Sequence, residues 1–481
     1  MRDASKALHL TATIAKGSGS GTYGSVDLGA GARSFNVGDG AAEVDVSVGV
    51  PIGNGGLTKT GPGTLRLSSP NSYGLGTIVS AGRLLVNNTS GFGTGSGAVT
   101  VNGGILGGTG SIAGSVTLNS AGTLAPGTAS AMGTLTFNSA PLLSGTNYLR
   151  VDRNGGAPLA DKLVVASGTL TYGGTLVVSN AGAPLAGGEV FTNFSAGTYA
   201  GGFMTSNLPA LTSGLNWYLG NLRTNGTIKV NRWPVVNGIA VTNTPGQMLL
   251  IPIATLIASA TDADGDALSL AGFNPVTTNG VSLSADATYI YYFNSAYVAD
   301  QFGYTVSDGR GGTVSGLAQV RPPPATSPAI SSGPDSITNV VGENATFTVS
   351  ATGTGPLGYQ WRFNDAAIAA ASASAYTRTN VQSSHAGGYS VVVSNVAGMV
   401  TSATALLTVI QPPHLELMTV LPGGSFQFQV SGSPGQYAVD ATTNLFNWDE
   451  LTNLTTTNTS FPYADGNTNL PARYYRARLI R

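Results

Sequence analysis

Up to about Asn231 the chain alternates apolar and polar residues in short stretches separated by Gly, Asn, Ser and Thr. A period of two broken by turn formers predicts many short strands joined by tight turns. The stretches also repeat. Aligning those that start at Thr64, Arg83, Ala98, Ser115 and Thr134 gives steps of 19, 15, 17 and 19 residues, one coil of a β-solenoid per step. Apolar residues at the second and fourth positions face inward in this reading, and Asn at the fifth position of four of the five stretches is expected to stack in a ladder. Gly103, Gly104, Gly107 and Gly108 are expected to supply corners with positive φ.

Around Asn231-Arg-Trp-Pro234 the glycine-rich pattern stops and longer alternating runs begin. Two proline breaks, Arg321-Pro-Pro-Pro324 and Gln411-Pro-Pro413, divide the remainder of the chain. The expected organisation is all-β: a β-solenoid over 1–231, then tandem β-sandwich modules over 232–322, 328–410 and 414–481. The longest apolar run, 248–260, contains Pro252 and is too short to span a bilayer, so no transmembrane segment is expected.

Composition narrows the functional classes. Among 481 residues there are 68 Gly and 24 Pro, and only 9% are charged, which excludes long charged helices. Lys+Arg 21 against Asp+Glu 22 lacks the basic excess that a nucleic-acid partner requires. The absence of cysteine excludes disulfides, thiolate metal sites and a cysteine nucleophile. The start Met1-Arg-Asp-Ala-Ser5 has no apolar h-region, so no export signal is read there, and the chain is expected to begin inside a repeat pattern.

The sharpest chemical candidate is Asp262-Ala-Asp-Gly-Asp266, joined by Asp308: carboxylates at alternate positions around a glycine can converge on calcium. The pattern is not an EF-hand, because Phe273 stands at the twelfth position, and a solvated Asp-Gly turn explains the same residues. Hydrolysis of polysaccharides needs a carboxylate pair. No Asp or Glu lies between Val46 and Val151; Asp39, Glu43 and Asp45 precede that gap, and Asp152, Asp161 and Glu189 come after it. The three histidines, His9, His385 and His414, are scattered and make neither a triad nor a zinc site. Gly107-Gly-Thr-Gly110 lacks the Lys and Ser/Thr of a phosphate loop. Arg473, Arg476, Arg478 and Arg481 can grip an anionic polymer or guard a strand edge, and Tyr73, Tyr199, Tyr291 and Tyr292 are candidates for stacking on sugars. No catalytic residue is assigned.

Several segments resemble known families. Residues 56–67, followed by Asn71-Ser-Tyr73, Gly76-Thr77 and Ala81-Gly-Arg-Leu84, resemble the autotransporter-associated β-strand repeat, which implies a right-handed β-helix in surface or secreted bacterial proteins. Residues 148–230 resemble the usual end of such arrays. The phrases at 260–270 and 302–313 resemble a bacterial cadherin-like, immunoglobulin-type module. Residues 328–410 resemble an immunoglobulin domain without its disulfide. That resemblance implies a buried Trp361, a tyrosine corner at Tyr389, and Val349 and Val391 in place of the paired cysteines, with His385 where an acid is usual. The last segment is similar to a C-terminal module of secreted proteins. Together these imply a non-catalytic extracellular adhesin or spacer of a bacterial cell surface, binding glycans or proteins weakly and multivalently. A carbohydrate-binding or carbohydrate-processing exoprotein using the solenoid groove, and a self-associating filament subunit, are the alternatives.

Overall fold

The computed structural model describes residues 12–14, 24–154, 157–469 and 472–480. The chain forms two compact units, Met1–Arg321 and Pro322–Arg481. The expected boundary at 231/232 thus lies inside the first unit.

In the first unit the alternating stretches form parallel strands, each reached by a crossover from the one before. The largest sheet runs through Val46–Val48, Thr64–Leu67, Arg83–Val86, Ile105–Gly108, Thr123–Pro126, Thr146–Asp152, Thr175–Asn180 and Thr205–Asn207. A second contains Ala32–Asn36, Gly56–Thr60, Thr77–Val79, Val99–Val101, Val116–Leu118 and Leu142–Leu143, and a third contains Ser111–Ile112, Thr134–Phe137, Lys162–Val165 and Phe194–Ser195. Thr64 pairs with Arg83, then Ile105, Thr123, Thr146, Thr175 and Thr205 continue in register, so the steps are 19, 22, 18, 23, 29 and 30 residues.

This register corrects the sequence alignment. The stretches at Thr64 and Arg83 share the largest sheet, those at Ala98 and Ser115 give strands of the second, and that at Thr134 lies in the third. Alternation is the same on every inner face, so it cannot distinguish one face from the next. The asparagine ladder shrinks accordingly. Asn119 Nδ2 donates to Asn102 Oδ1 at 2.7 Å, whereas Asn87 follows a strand of another sheet and its Oδ1 is buried without a partner among the described residues. Of the four corner glycines only Gly108 has positive φ, at 107°. Gly104 is required for a different reason: a Cβ there would lie 2.7 Å from Val79 Cγ1.

The inward residues stack in columns. Leu65, Leu84, Leu106 and Leu124 pair in register, as do Leu135, Leu163 and Phe194, and all are buried in one apolar cluster. Each buried leucine contributes roughly 2 kcal/mol by removal from water. Lys59 interrupts this core. It is fully buried, and its Nζ donates to the carbonyls of Thr60 and Gly61 at 2.8 Å and of Ala81 at 3.2 Å. Burial pushes the ammonium down to about 8, against the upward pull of Asp45.

The stack ends in an antiparallel sheet of Val190–Thr192, Thr227–Arg232 and Leu215–Tyr218. Beyond it, Ile239–Thr242, Thr313–Arg321, Asp300–Ser307 and Ser269–Phe273 form one sheet, and Met248–Pro252, Tyr289–Phe293 and Ser284–Ala285 another. The apolar run at 248–260 divides at Pro252 into that strand and the short helix Ile253–Ala258. Ile251, Leu256, Ile290, Tyr292, Phe302, Tyr304 and Val306 form the core between the sheets.

In the second unit, Ile337–Val340, Ala405–Ile410, Gly387–Asn395, Gly358–Phe363 and Ala366–Ala367 make one sheet, with Gly398–Thr401 paired to Gly387–Asn395. Ala345–Thr348 pairs with Ala375–Arg378. Residues 414–480 give two three-stranded sheets, His414–Val420 with Phe426–Ser431 and Ser460–Asp465, and Asp449–Thr456 with Gly435–Thr442 and Tyr474–Ile480. Among the described residues no helix is long and apolar enough to cross a membrane.

Candidate functional site

The acidic phrase begins just after the strand Ala260–Thr261, where a turn lets three carboxylates share one side. Asp262 Oδ1 accepts the backbone N–H groups of Asp264 at 2.8 Å and Asp266 at 3.2 Å, and Gly265 takes a positive φ of 75°. One carboxylate oxygen from each of Asp262, Asp264 and Asp266 lies within 4.8 Å of the others. Asp308 is outside that group. Its Oδ1 accepts the N–H groups of Arg310 and Gly312, and its Oδ2 accepts Asn231 Nδ2 at 2.7 Å.

Cations from both sides converge on the cluster. Lys229 Nζ lies 3.3 Å from Asp264 Oδ2 and 3.1 Å from Asp266 Oδ2. Arg232 donates to Asp264 through its backbone N–H and through Nη1, both at 2.9 Å. Arg310 Nε lies 3.3 Å from Asp266 Oδ1, and its guanidinium sits 4.5 Å above the Tyr218 ring. The side chain of Asp264 is 3% exposed. Burial raises its pKa, yet the Arg232 N–H and the Lys229 ammonium outweigh that and hold it below the usual carboxylate value. Polar groups extend the contact: Asn216 Nδ2 donates to the Arg310 carbonyl at 2.8 Å, and Asn216 Oδ1 accepts Trp233 Nε1 at 2.9 Å.

Lys229 and Arg232 sit on the last strand of the stack, while Asp264, Asp266 and Arg310 belong to the residues beyond it. The arrangement is therefore an ion-paired joint within the first unit. As a test for calcium, the donor set is divided. Lys229 holds the position between Asp264 and Asp266 that a cation would take, whereas Asp262 Oδ2 is buried with no hydrogen-bond partner among the described residues. Lys229, Arg232, Arg310 and Tyr218 do not stand out in the sequence; the only signal is two basic residues just before the break at Trp233.

Other expected residues fall apart spatially. Asp45 accepts the N–H groups of Gly40 and Thr64, Asp161 is fully buried against Arg150 at 2.8 Å, and Glu43 accepts from Ser130. Tyr73 and Tyr292 are fully buried, so neither offers a face to a sugar; Tyr73 bonds Thr77 and Tyr292 bonds Asp300. Both are inward positions of their strands or corners, which tyrosine fills as readily as outward ones. Tyr291 donates to Asp286, and the hydroxyl of half-buried Tyr199 accepts the Ala196 N–H. Arg473 pairs with Asp465, and Arg476 and Arg478 with Asp440, so the basic run is largely neutralised by its own module. His414 lies against Glu416. His9 and Arg481 lie outside the described residues.

In the second unit Trp361 is fully buried and its Nε1 donates to the Ala373 carbonyl at 2.9 Å. Tyr389 stacks on Phe347 with centroids 4.5 Å apart and donates to the His385 carbonyl four residues upstream at 3.0 Å. Val349 and Val391 join the same core. His385 faces the Arg378 guanidinium; desolvation and that charge lower its pKa.

Residues 231–321 match the family described as Bacterial Ig domain, and residues 57–86 match the Passenger-associated-transport-repeat. Both point to bacterial surface or secreted proteins. No curated protein matches the chain. Among solved structures, the chain is similar to an I-band fragment from titin at 14% identity, over 51% of this chain and 93% of that one, with TM-score 0.29. It is also similar to the tandem Ig repeats of Dlar at 15% identity, over 37% and 98%, with TM-score 0.17. A third similarity is to titin domains z1z2 in complex with telethonin, at 14% identity over 38% and 98%, with TM-score 0.24.

Proposed function

We propose that this chain is a non-catalytic protein of a bacterial cell surface, an adhesin or structural spacer that contacts glycans or proteins weakly and multivalently. The observation that carries this reading is the presence of a passenger-type repeat and a bacterial Ig domain in one compact unit. We read the three parallel sheets as faces of one right-handed β-solenoid, whose coils add strands to the sheets in turn. Such a stack presents a long lateral surface, and appended modules multiply weak contacts. The acids of the stack support a non-catalytic role: Asp45 and Asp161 are tied to backbone N–H groups and Glu43 to Ser130, which leaves them poorly placed as a hydrolytic pair.

The test is surface labelling of intact bacteria that make the protein, combined with depolymerisation assays on the purified chain. Labelling without sugar release is expected. Release that disappears on substituting Asp39, Glu43 or Asp45 would instead favour the groove-bound exoenzyme. Calcium at Asp262, Asp264 and Asp266 is a second reading, favoured by Asp262 Oδ2, which has no hydrogen-bond partner among the described residues. A rise in the unfolding temperature with calcium, reversed by chelator and absent in Asp262→Asn, supports it; identical curves leave Lys229, Arg232 and Arg310 as the counter-charges. Self-association is favoured by the edge strand His414–Val420, where Leu417, Met418 and Val420 are exposed. Light scattering that stays monomeric at high concentration would remove it.

A further inference from the structure

A cavity of the first unit lies beside the joint and shares only Arg232 with it. It measures about 450 Å³, within the usual range for small-ligand sites, and is open to solvent. Arg153, Pro158, Gly187, Glu189, Val190 and Arg232 line it. Among the described residues, each arginine commits one guanidinium nitrogen to a hydrogen bond. Arg153 Nη1 donates to the Pro184 carbonyl, and its Nε stands 4.0 Å from Glu189 Oε1, beyond hydrogen-bond range. Arg232 engages Asp264 through Nη1 and its backbone N–H. Glu189 is mostly buried. Its Oε1 accepts the Ala186 N–H at 2.8 Å, and its Oε2 has no hydrogen-bond partner among the described residues.

A guanidinium fork matches a carboxylate in shape and charge. A carboxylate acceptor in the same wall has the opposite preference: it repels a bare anion and accepts from a hydroxyl. A ligand that satisfies both carries an acid group and hydroxyl donors on one small frame. We propose that this cavity binds an acidic sugar unit of the uronic-acid type, its carboxylate on Arg153 and Arg232 and a ring hydroxyl directed to Glu189. The exposed Val190 side chain supplies an apolar floor against the ring. The inference rests on the glycan-contact reading of the chain and names the sugar class that reading leaves open.

The test is calorimetric titration of the full chain with an oligogalacturonate trimer, maltotriose and sodium sulfate. Binding of the uronate trimer is expected, with at least tenfold weaker maltotriose and sulfate. Arg153→Ala should weaken the trimer at least tenfold, and Val190→Trp, which fills the cavity without touching a charge, should do the same; neither should move the unfolding temperature by more than about a degree. No trimer binding at millimolar concentration, binding by either variant as tight as that of the parent chain, or sulfate competing as well as the trimer would each overturn the proposal. Surface labelling is independent of all three outcomes, so a chain that is surface-exposed but blind to uronates loses only this inference, and one that is not surface-exposed loses the reading beneath it.

Discussion

Within the first unit, the parallel stack and its joint to residues 235–321 are held by different physics. Inside the stack, Leu65, Leu84, Leu106 and Leu124 form an unbroken apolar column in register. At the joint, Lys229, Arg232 and Arg310 face Asp264 and Asp266. Apolar burial scales with area and is indifferent to pH, whereas ion pairs respond to both pH and salt. Solution conditions therefore reach the joint while leaving the column almost untouched. The position of the joint has the same origin: a stack must end somewhere, and exposed inner faces there need a cover that polar strand edges can tolerate.

The largest effect is expected from breaking the column. Leu84→Ala removes a fully buried side chain from the middle of the stack, where neighbours above and below hold the backbone and limit collapse. A loss of about 3 kcal/mol is expected, as for other buried Leu→Ala changes, and it should be the same in low and high salt. Denaturant unfolding at two ionic strengths measures this, and a salt-dependent loss would contradict the division between column and joint.

Lys229→Met should cost about 2 kcal/mol, less than the roughly 3–5 of a fully buried pair because Arg232 still faces Asp264. Its cost should shrink in high salt. Asp264 adds a pH signature. Its folded pKa is depressed, so its stabilisation is complete above the ordinary value of 3.8 and is lost as pH falls through the lower folded value. Asp264→Asn should flatten the acid limb of the stability curve, read by thermal unfolding between pH 2 and 5.

The contrast tracks how far the sequence is legible. Alternation locates strands at all five aligned stretches, because the period of two is local. Which sheet each strand joins is not legible: Ala98 and Thr134 look equivalent to Thr64 since all inner faces demand the same apolar residues. The acidic side of the joint is visible as three aspartates around Gly265, a dense motif in a chain with few charges. The basic side is not, because Lys229 and Arg310 are far apart in sequence and each is unremarkable alone. The tyrosine corner at Tyr389 can be expected from a single motif, but the same contact in the last module, from Tyr437 to the Ser433 carbonyl, stands in a segment whose tryptophan, Trp448, follows the tyrosine instead of preceding it.

Lys59 puts the contrast under strain because it is a charge inside the apolar part. Its folded pKa of about 8 lies below the ordinary 10.5, so between those values the unfolded chain binds more protons and stability rises with pH. Above pH 10 Tyr73 acts in the opposite sense, since its hydroxyl is pushed up to about 12 by burial. The rise should therefore be visible between pH 8 and 10. Unfolding midpoints across that window should climb in the parent chain and stay level in Lys59→Met; parallel curves would mean that the three carbonyls keep the ammonium charged.

The smallest effect is expected at Glu43, which is also a charge in the stack but an exposed one. It reaches across 87 positions to accept the Ser130 N–H at 2.9 Å and its hydroxyl at 2.8 Å. Hydrogen bonds from Thr128 and Ser130 hold its pKa down to about 2, so whatever it contributes is present above 4.5 and fades as pH falls toward 2. Water competes for both oxygens, so Glu43→Gln should change stability at pH 7 by no more than about half a kcal/mol. Measured beside Lys229→Met, it separates charge from burial: both variants remove one ionised group from the first unit, and only the one whose partner is dry should matter. An equal loss in the two would mean that charge alone governs the joint.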